Sequence, residues 1–330
     1  MAVIDLLSIQ PTQLCKDLRG RFIMLYGQAK SGKTSMSAMW PKPLLVAFEK
    51  GYNGLVGIRP VDVTSWADFK QICRQLKKAE VKEAYETVII DTVAIAYSLC
   101  EKYILNREGV QAIGDIGYGK GWGMLKDEFE TTFRELTQLG YSLVFITHSK
   151  TKQTEYTDEE GNAIEALAPD LPNAAYQIVN RMVDVIGYIG VEYDMKTGLS
   201  HRYLYTRGTP SIFAGSRYRY LNPKIELGYQ QLVDAIAEAM EKEASMTGTE
   251  LITSNEVNYS ATTGKRTFDE VMSEAKTLWN DIIKTQGDAG REKIHNVIVG
   301  VFKHDMQLSK ATPEQQDLVE LVIEDFKKLM

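Results

Sequence analysis

Nine consecutive residues, Gly27-Gln28-Ala29-Lys30-Ser31-Gly32-Lys33-Thr34-Ser35, carry the G-x-x-x-x-G-K-[ST] spacing of a phosphate-binding loop. Glycine lets the backbone close around a phosphate, and the loop amides and the helix start then face the negative charge. Lys33 would reach the β- and γ-phosphates of a nucleotide, and the Thr34 hydroxyl would ligate Mg²⁺. Two carboxylates extend the chemistry. Asp91 closes the β-branched run Thr87-Val88-Ile89-Ile90, where a carboxylate would hold Mg²⁺ through water. Glu49 follows Pro43-Leu44-Leu45-Val46-Ala47-Phe48 and could orient or deprotonate the attacking water. His148 ends a fourth apolar run and could sense loss of the γ-phosphate, with Thr147 as the alternative. Positive charge for the transition state, often supplied in trans, has candidates in Arg207, Arg217 and Arg219.

These groups need strand ends to hold them. Arg21 to Tyr26 reads as a buried strand, and Thr34 to Trp40 as a helix that stops before Pro41. Further strands are expected at Pro43–Phe48, Thr87–Asp91 and Tyr141–Thr147. Helices are expected at 66–80, Thr92–Leu105 and Lys126–Leu139, with a glycine-rich loop over 106–122. Strands alternating with helices imply an α/β fold with a mostly parallel, doubly wound sheet. Polar residues fill 150–170; then Arg181–Tyr193 and Ser200–Thr206 read as a hairpin that extends the sheet antiparallel. A helix follows over Tyr229–Ala244. The expected organisation is an apolar arm (1–19), the main domain (20–244), a Ser/Thr/Gly-rich linker (245–266) and a small three-helix domain (267–330) whose last helix starts at Thr312-Pro313.

The 330 residues carry a net charge of -6, so nucleic acid could be held only at a local basic or aromatic site. Three widely spaced cysteines (Cys15, Cys73, Cys100) and four histidines form no metal motif and suggest reduced thiols in a cytoplasmic protein. No apolar run is long enough to span a bilayer, and the basic start of a signal peptide is absent.

The series of P-loop strand, strand ending in Glu, strand ending in Asp and strand ending in a polar sensor resembles the RecA-like ATPase core. The wording is closer still to the short phage-encoded RecA-like ATPases of the Sak group, found in single-strand annealing modules. The matching text is Tyr26–Thr34, Ala47-Phe48-Glu49-Lys50-Gly51, Val88–Thr92, Gly119-Lys120-Gly121-Trp122-Gly123 and Phe145–Ser149, within about residues 20–240. The resemblance implies ATP hydrolysis with Mg²⁺, coupled to single-stranded DNA and to a homo-oligomeric ring or filament with ATP between subunits. It implies Glu49 as the catalytic glutamate and His148 in place of the usual Gln sensor. It also puts segments 106–122 and 150–177 in the places of the two DNA-binding loops. The first offers Arg107, Tyr118, Lys120 and Trp122; the second is acidic, with Glu155, Asp158, Glu159, Glu160, Glu165 and Asp170. The helical C-terminal domain lies outside the resemblance and could contact a single-strand binding or annealing protein. Two other functions fit the same core: a helicase-type ring motor, and a nucleotide-gated scaffold for a protein partner.

Overall fold

The computed structural model describes residues 18–248, 267–304 and 307–330, which fall into two compact units, 18–248 and the helical C-terminal residues. Cys15, most of the expected N-terminal arm and nearly all of the expected linker lie outside the described residues.

The larger unit is built on a ten-stranded sheet. Its parallel centre consists of β1 (Phe22–Gly27), β2 (Pro43–Ala47), β3 (Arg59–Asp62), β4 (Thr87–Asp91), β5 (Ser142–Thr157) and β7 (Val185–Asp194). Along the sheet the order is β7-β1-β5-β4-β2-β3. The strand of the phosphate loop and the strand ending in Asp91 are therefore separated by β5. Antiparallel β8 (Leu199–Tyr205) and β10 (Lys224–Glu226) extend the β7 side, and β9 (Gly215–Ser216) pairs with the start of β7. The α/β class with an antiparallel extension is the one the motifs imply.

Both faces of the sheet are buried, as a parallel sheet requires. Along β1, Met24 and Tyr26 face one core and Ile23 and Leu25 the other. The first core is covered by α2 (Trp66–Gln75), α4 (Val93–Glu108), α5 (Lys120–Thr137) and α6 (Asn173–Met182), and is dominated by Trp66, Phe69, Phe129 and Phe133. The second is covered by α1 (Lys33–Ser37) and α7 (Tyr229–Thr247), with Met36, Trp40, Leu232 and Ile236 inside. A short helix α3 (Ala79–Ala84) completes the segment before β4, so the single helix expected over 66–80 is two.

Other departures follow from pairing that local pattern does not reveal. β5 does not stop at Thr147 but runs on to Thr157, because β6 (Ala163–Pro169) pairs with it antiparallel from Ser149 onward. The polar segment 150–170 is thus a long hairpin. Asn173–Met182 is helical, and the expected strand from Arg181 begins at Val185. α7 continues three residues beyond Ala244, to Thr247.

The C-terminal unit has its own core, with Val271, Ala275, Ile298, Val322 and Phe326 inside. Its α8 (Phe268–Phe302) is broken at Gly287 (φ 57°, ψ -135°), and α9 (Gln316–Leu329) follows. The three expected helical segments correspond to the two halves of α8 and to α9. Thr267 caps α8 in a capping box with Glu270, and Thr312 with Gln315 closes the turn before α9.

Candidate active site

Side chains alternate across a strand, and this alternation assembles the site. On β2, β4 and β5, residues Leu45 and Ala47, Ile89, and Val144 and Ile146 face the second core, the α1 side. Counting on by twos puts Glu49, Asp91 and His148 on that same side at the C-terminal edge. The register pairs Gly27 with His148 and Ala47 with Asp91. Glu49 and His148 therefore stand one layer above Asp91, level with the mouth of the phosphate loop.

The contacts agree. Lys33 Nζ donates to the carbonyls of Gly27 (3.0 Å) and Gln28 (2.8 Å), lying folded into its own loop. The Thr34 hydroxyl donates to Asp91 Oδ2 at 2.8 Å. His148 Nε2 is 3.4 Å from Glu49 Oε1. Lys30 (φ 64°) and Gly32 (φ 105°) take left-handed backbone, which turns successive amides inward. At Gly27 a Cβ would stand 2.7 Å from the Ile189 carbonyl, so only glycine lets β1 run this close beneath the loop. Ser31 Oγ is buried beside Gly27 without a hydrogen-bond partner.

This donor set fits a nucleoside triphosphate with Mg²⁺. The orphaned Ser31 hydroxyl needs a partner, and Lys33 needs only to exchange two neutral carbonyls for phosphate oxygens. Thr34 and Asp91 would hold the cation, Thr34 directly and Asp91 through water. Burial pushes the Asp91 carboxyl above its usual range and the Lys33 ammonium below its own, although each is drawn back by the other's charge. Among the described residues no cluster of three or more His, Cys, Asp or Glu could hold a metal by itself.

Residues 19–218 match the AAA domain family, AAA_24, over more than half of the chain. The chain belongs to that family. The AAA domain spans the whole site from β1 to the residues after β9. A full-length relative is 27% identical over 334 residues, covering 99% of each chain: the SPbeta prophage-derived uncharacterized protein YorG of Bacillus subtilis (strain 168). Among solved structures, the flagellar accessory protein FlaH of Methanocaldococcus jannaschii aligns with 63% of this chain and 84% of its own, at 10% identity and a TM-score of 0.34. A KaiC-like protein of Pyrococcus horikoshii OT3 aligns with 63% and 85%, at 14% identity and a TM-score of 0.36.

The AAA domain brings together Gly27 to Ser35, Glu49, Asp91 and His148. Thr147 is excluded: it points to the opposite core and its hydroxyl donates to the Asp170 carbonyl at 2.8 Å. The arginines expected to serve a transition state are not at this edge of their own chain. Arg217 donates to Asp184 Oδ1 (3.2 Å) and to the Arg181 carbonyl (2.6 Å), at the N-terminal end of β7. Arg207 donates to the carbonyl of Arg219, so both lie with Arg217.

The segment 106–122 is not one loop. α4 extends to Glu108, and α5 starts at Lys120, so Lys120 and Trp122 are helical residues. Gly121 makes that start possible, since a Cβ there would lie 2.4 Å from the Ile113 carbonyl. Tyr118 and Trp122 are exposed, at 105% and 57%, and so are free to stack. Arg107 is committed to Glu108 at 2.9 Å and lies 4.0 Å from Glu128.

One neighbour of the loop escapes sequence reasoning. Arg202 on β8 places its Cδ 3.7 Å from where a Cβ on Gly32 would stand, and Leu227 Cδ2 is at 3.2 Å. No spacing signal links residues 170 positions apart along the chain; β7 and β8 bring Arg202 there by pairing Val191 with it.

Proposed function

We propose that this AAA-domain protein binds and hydrolyses ATP with Mg²⁺, is of phage origin like its prophage relative, and couples hydrolysis to single-stranded DNA in recombination or annealing. The observation that carries the nucleotide chemistry is the convergence of Lys33, the Thr34–Asp91 pair and the Glu49–His148 pair on one sheet edge. Lys33 would clamp the terminal phosphates, and the loop amides would donate to the triphosphate's oxygens. Bound Mg²⁺ would offset charge on the β- and γ-phosphate oxygens. Glu49 would orient a water and take its proton on a carboxylate oxygen, with His148 Nε2 holding the carboxylate in position. Asp91, hydrogen-bonded to Thr34, would help hold that cation.

Assembly into a ring or filament with ATP between subunits completes this reading, because Arg207 and Arg217 do not reach the loop of their own chain. The DNA part draws support from exposed Tyr118 and Trp122.

A second reading, a nucleotide-gated scaffold, is favoured by one feature. The acidic β5–β6 hairpin rises directly from His148, and its tip carries Asp158, Glu159 and Glu160, which repel phosphate. The deciding experiment is ATP hydrolysis with and without single-stranded DNA, using Glu49→Gln as the blank. A rise absent from the variant supports the DNA-coupled ATPase. A slow rate indifferent to DNA supports the scaffold, and its partner search would start with the hairpin and the C-terminal helices.

A further inference from the structure

At the N-terminal edge of the sheet, opposite the phosphate loop, a cavity of roughly 200 Å³ opens between α5, α6 and the start of β1. Its floor is apolar: Phe22, Ile178 and Met182. Arg134, Arg181 and Arg217 form its walls, drawn from the last turns of α5 and α6 and from the segment after β9. Two carboxylates hold these cations. Glu130 takes Arg134 through Nε (3.0 Å) and Nη2 (2.6 Å) and lies 3.6 Å from Arg181 Nη2. Asp184 takes Arg217 and also accepts the Phe22 amide at 3.0 Å.

Three guanidiniums against two carboxylates leave one positive charge in excess. The same edge carries Arg207 and Arg219, joined by a hydrogen bond at 3.2 Å, and Arg21, whose guanidinium lies 5.9 Å from the Tyr218 ring. In Arg217-Tyr218-Arg219-Tyr220 the two arginines are exposed, while the two tyrosines are half-buried against the second core. A helix C-terminus alone would explain Arg134 and Arg181 as dipole partners. It would not explain why they converge with Arg217 on one apolar-floored cavity, in a protein whose net charge is -6.

We propose that this arginine-lined edge binds the backbone of single-stranded DNA, one sugar-phosphate unit seating in the cavity with its phosphate on Arg134, Arg181 and Arg217. This rests on the DNA-coupled reading above, moves the principal contact from the Tyr118–Trp122 segment to the opposite end of the sheet, and reassigns Arg217 from a neighbour's nucleotide to DNA, leaving Arg207 for the role in trans. Asp184 keeps the Arg217 fork pre-aimed, so little of that side chain's entropy is lost on binding. A strand is preferred to a small phosphate because the cations continue past the cavity, to Arg219, Arg207 and Arg21.

The test is fluorescence anisotropy of a labelled oligothymidylate with the full chain, over a range of salt. Arg134→Gln with Arg181→Gln should weaken binding about tenfold and lower the slope of log affinity against log salt by about 1.4, from two contacts at about 0.7 each. Both side chains are more than half exposed (63% and 56%), so the fold should survive. Glu130→Gln, which removes a carboxylate and frees both forks, should tighten binding about threefold. An unchanged affinity in both variants, with loss in Tyr118→Ala/Trp122→Ala, would overturn the edge site and leave the DNA reading standing. No binding by the unaltered protein would overturn both. A fall in DNA-free ATP turnover in the double arginine variant would overturn it too, by assigning these arginines to a neighbouring copy's nucleotide.

Discussion

The two edges of one sheet are built by opposite means. The C-terminal edge holds its charges under-compensated: Asp91 is buried and pushed towards its neutral form, Lys33 rests on carbonyls, and Ser31 Oγ has no partner. At the N-terminal edge, roughly 17 Å away along the six residues of β1, Asp184 and Glu130 are each matched to arginines. An edge that must accept a polyanion and a metal ion leaves groups waiting for them. One whose carboxylates anchor strand starts and helix ends pairs those carboxylates within the fold, and only an excess arginine charge is left over there. Strain of the first kind is expected where chemistry is done, and it lowers the stability of the nucleotide-free protein.

That contrast can be broken at several points. The largest effect is expected from Lys33→Ala, which removes the ammonium folded into the phosphate loop. ATP turnover should fall about 1,000-fold, with affinity lost in a nucleotide titration; retention of tight binding would show that the loop amides alone carry the polyanion. Glu49→Gln keeps shape and hydrogen bonding but not basicity. Turnover should drop about 100-fold while nucleotide affinity is unchanged, and near-normal single-turnover rates would remove Glu49 from the mechanism.

The two aspartates give the sharpest comparison. Asp184→Ala orphans the Phe22 amide and frees Arg217, and should cost about 2 kcal/mol in a denaturant titration. Asp91→Asn should do the reverse and raise the melting midpoint of the nucleotide-free protein at neutral pH. The folded pKa of Asp91 lies above its ordinary 3.8, so the native state holds that proton more tightly than the unfolded chain. Its contribution to stability is fullest below pH 3.8 and is lost as pH rises through the folded pKa; above that, the ionised carboxyl is a cost. The stabilisation of Asp91→Asn over the unaltered protein should therefore grow with pH, and a pH-independent difference would show that the Thr34 hydrogen bond already compensates the charge.

The smallest effect is expected from Thr147→Val, about 1 kcal/mol from the lost bond to Asp170, with turnover per folded molecule unaltered. A slower turnover would contradict its placement on the far side of the strand.

Much of the C-terminal edge was legible beforehand. A phosphate loop is local in sequence, because consecutive amides make it. Glu49, Asp91 and His148 each terminate a contiguous apolar run, and strand period two decides which face they take. Period two also separates His148 from Thr147, once Val144 and Ile146 are assigned to one core and Phe145 to the other. The hairpin of β5 and β6 reads locally as a polar segment, because the outer half of β5 is exposed, β6 buries small residues (Ala166, Ala168), and their order comes from pairing with each other. Asn173–Met182 lacks a side-chain cap that would mark its start in the sequence.

The sequence by itself therefore determined the α/β class, the phosphate loop and the residues that close each central strand, since all are set by neighbours along the chain. Only the tertiary structure decided the order β7-β1-β5-β4, which puts His148 between the loop and Glu49. It also carried Arg207 and Arg217 to the N-terminal edge and set Arg202 against Gly32. Those placements depend on which strands pair across long stretches of chain, and pairing is decided by burying two cores at once rather than by any local preference.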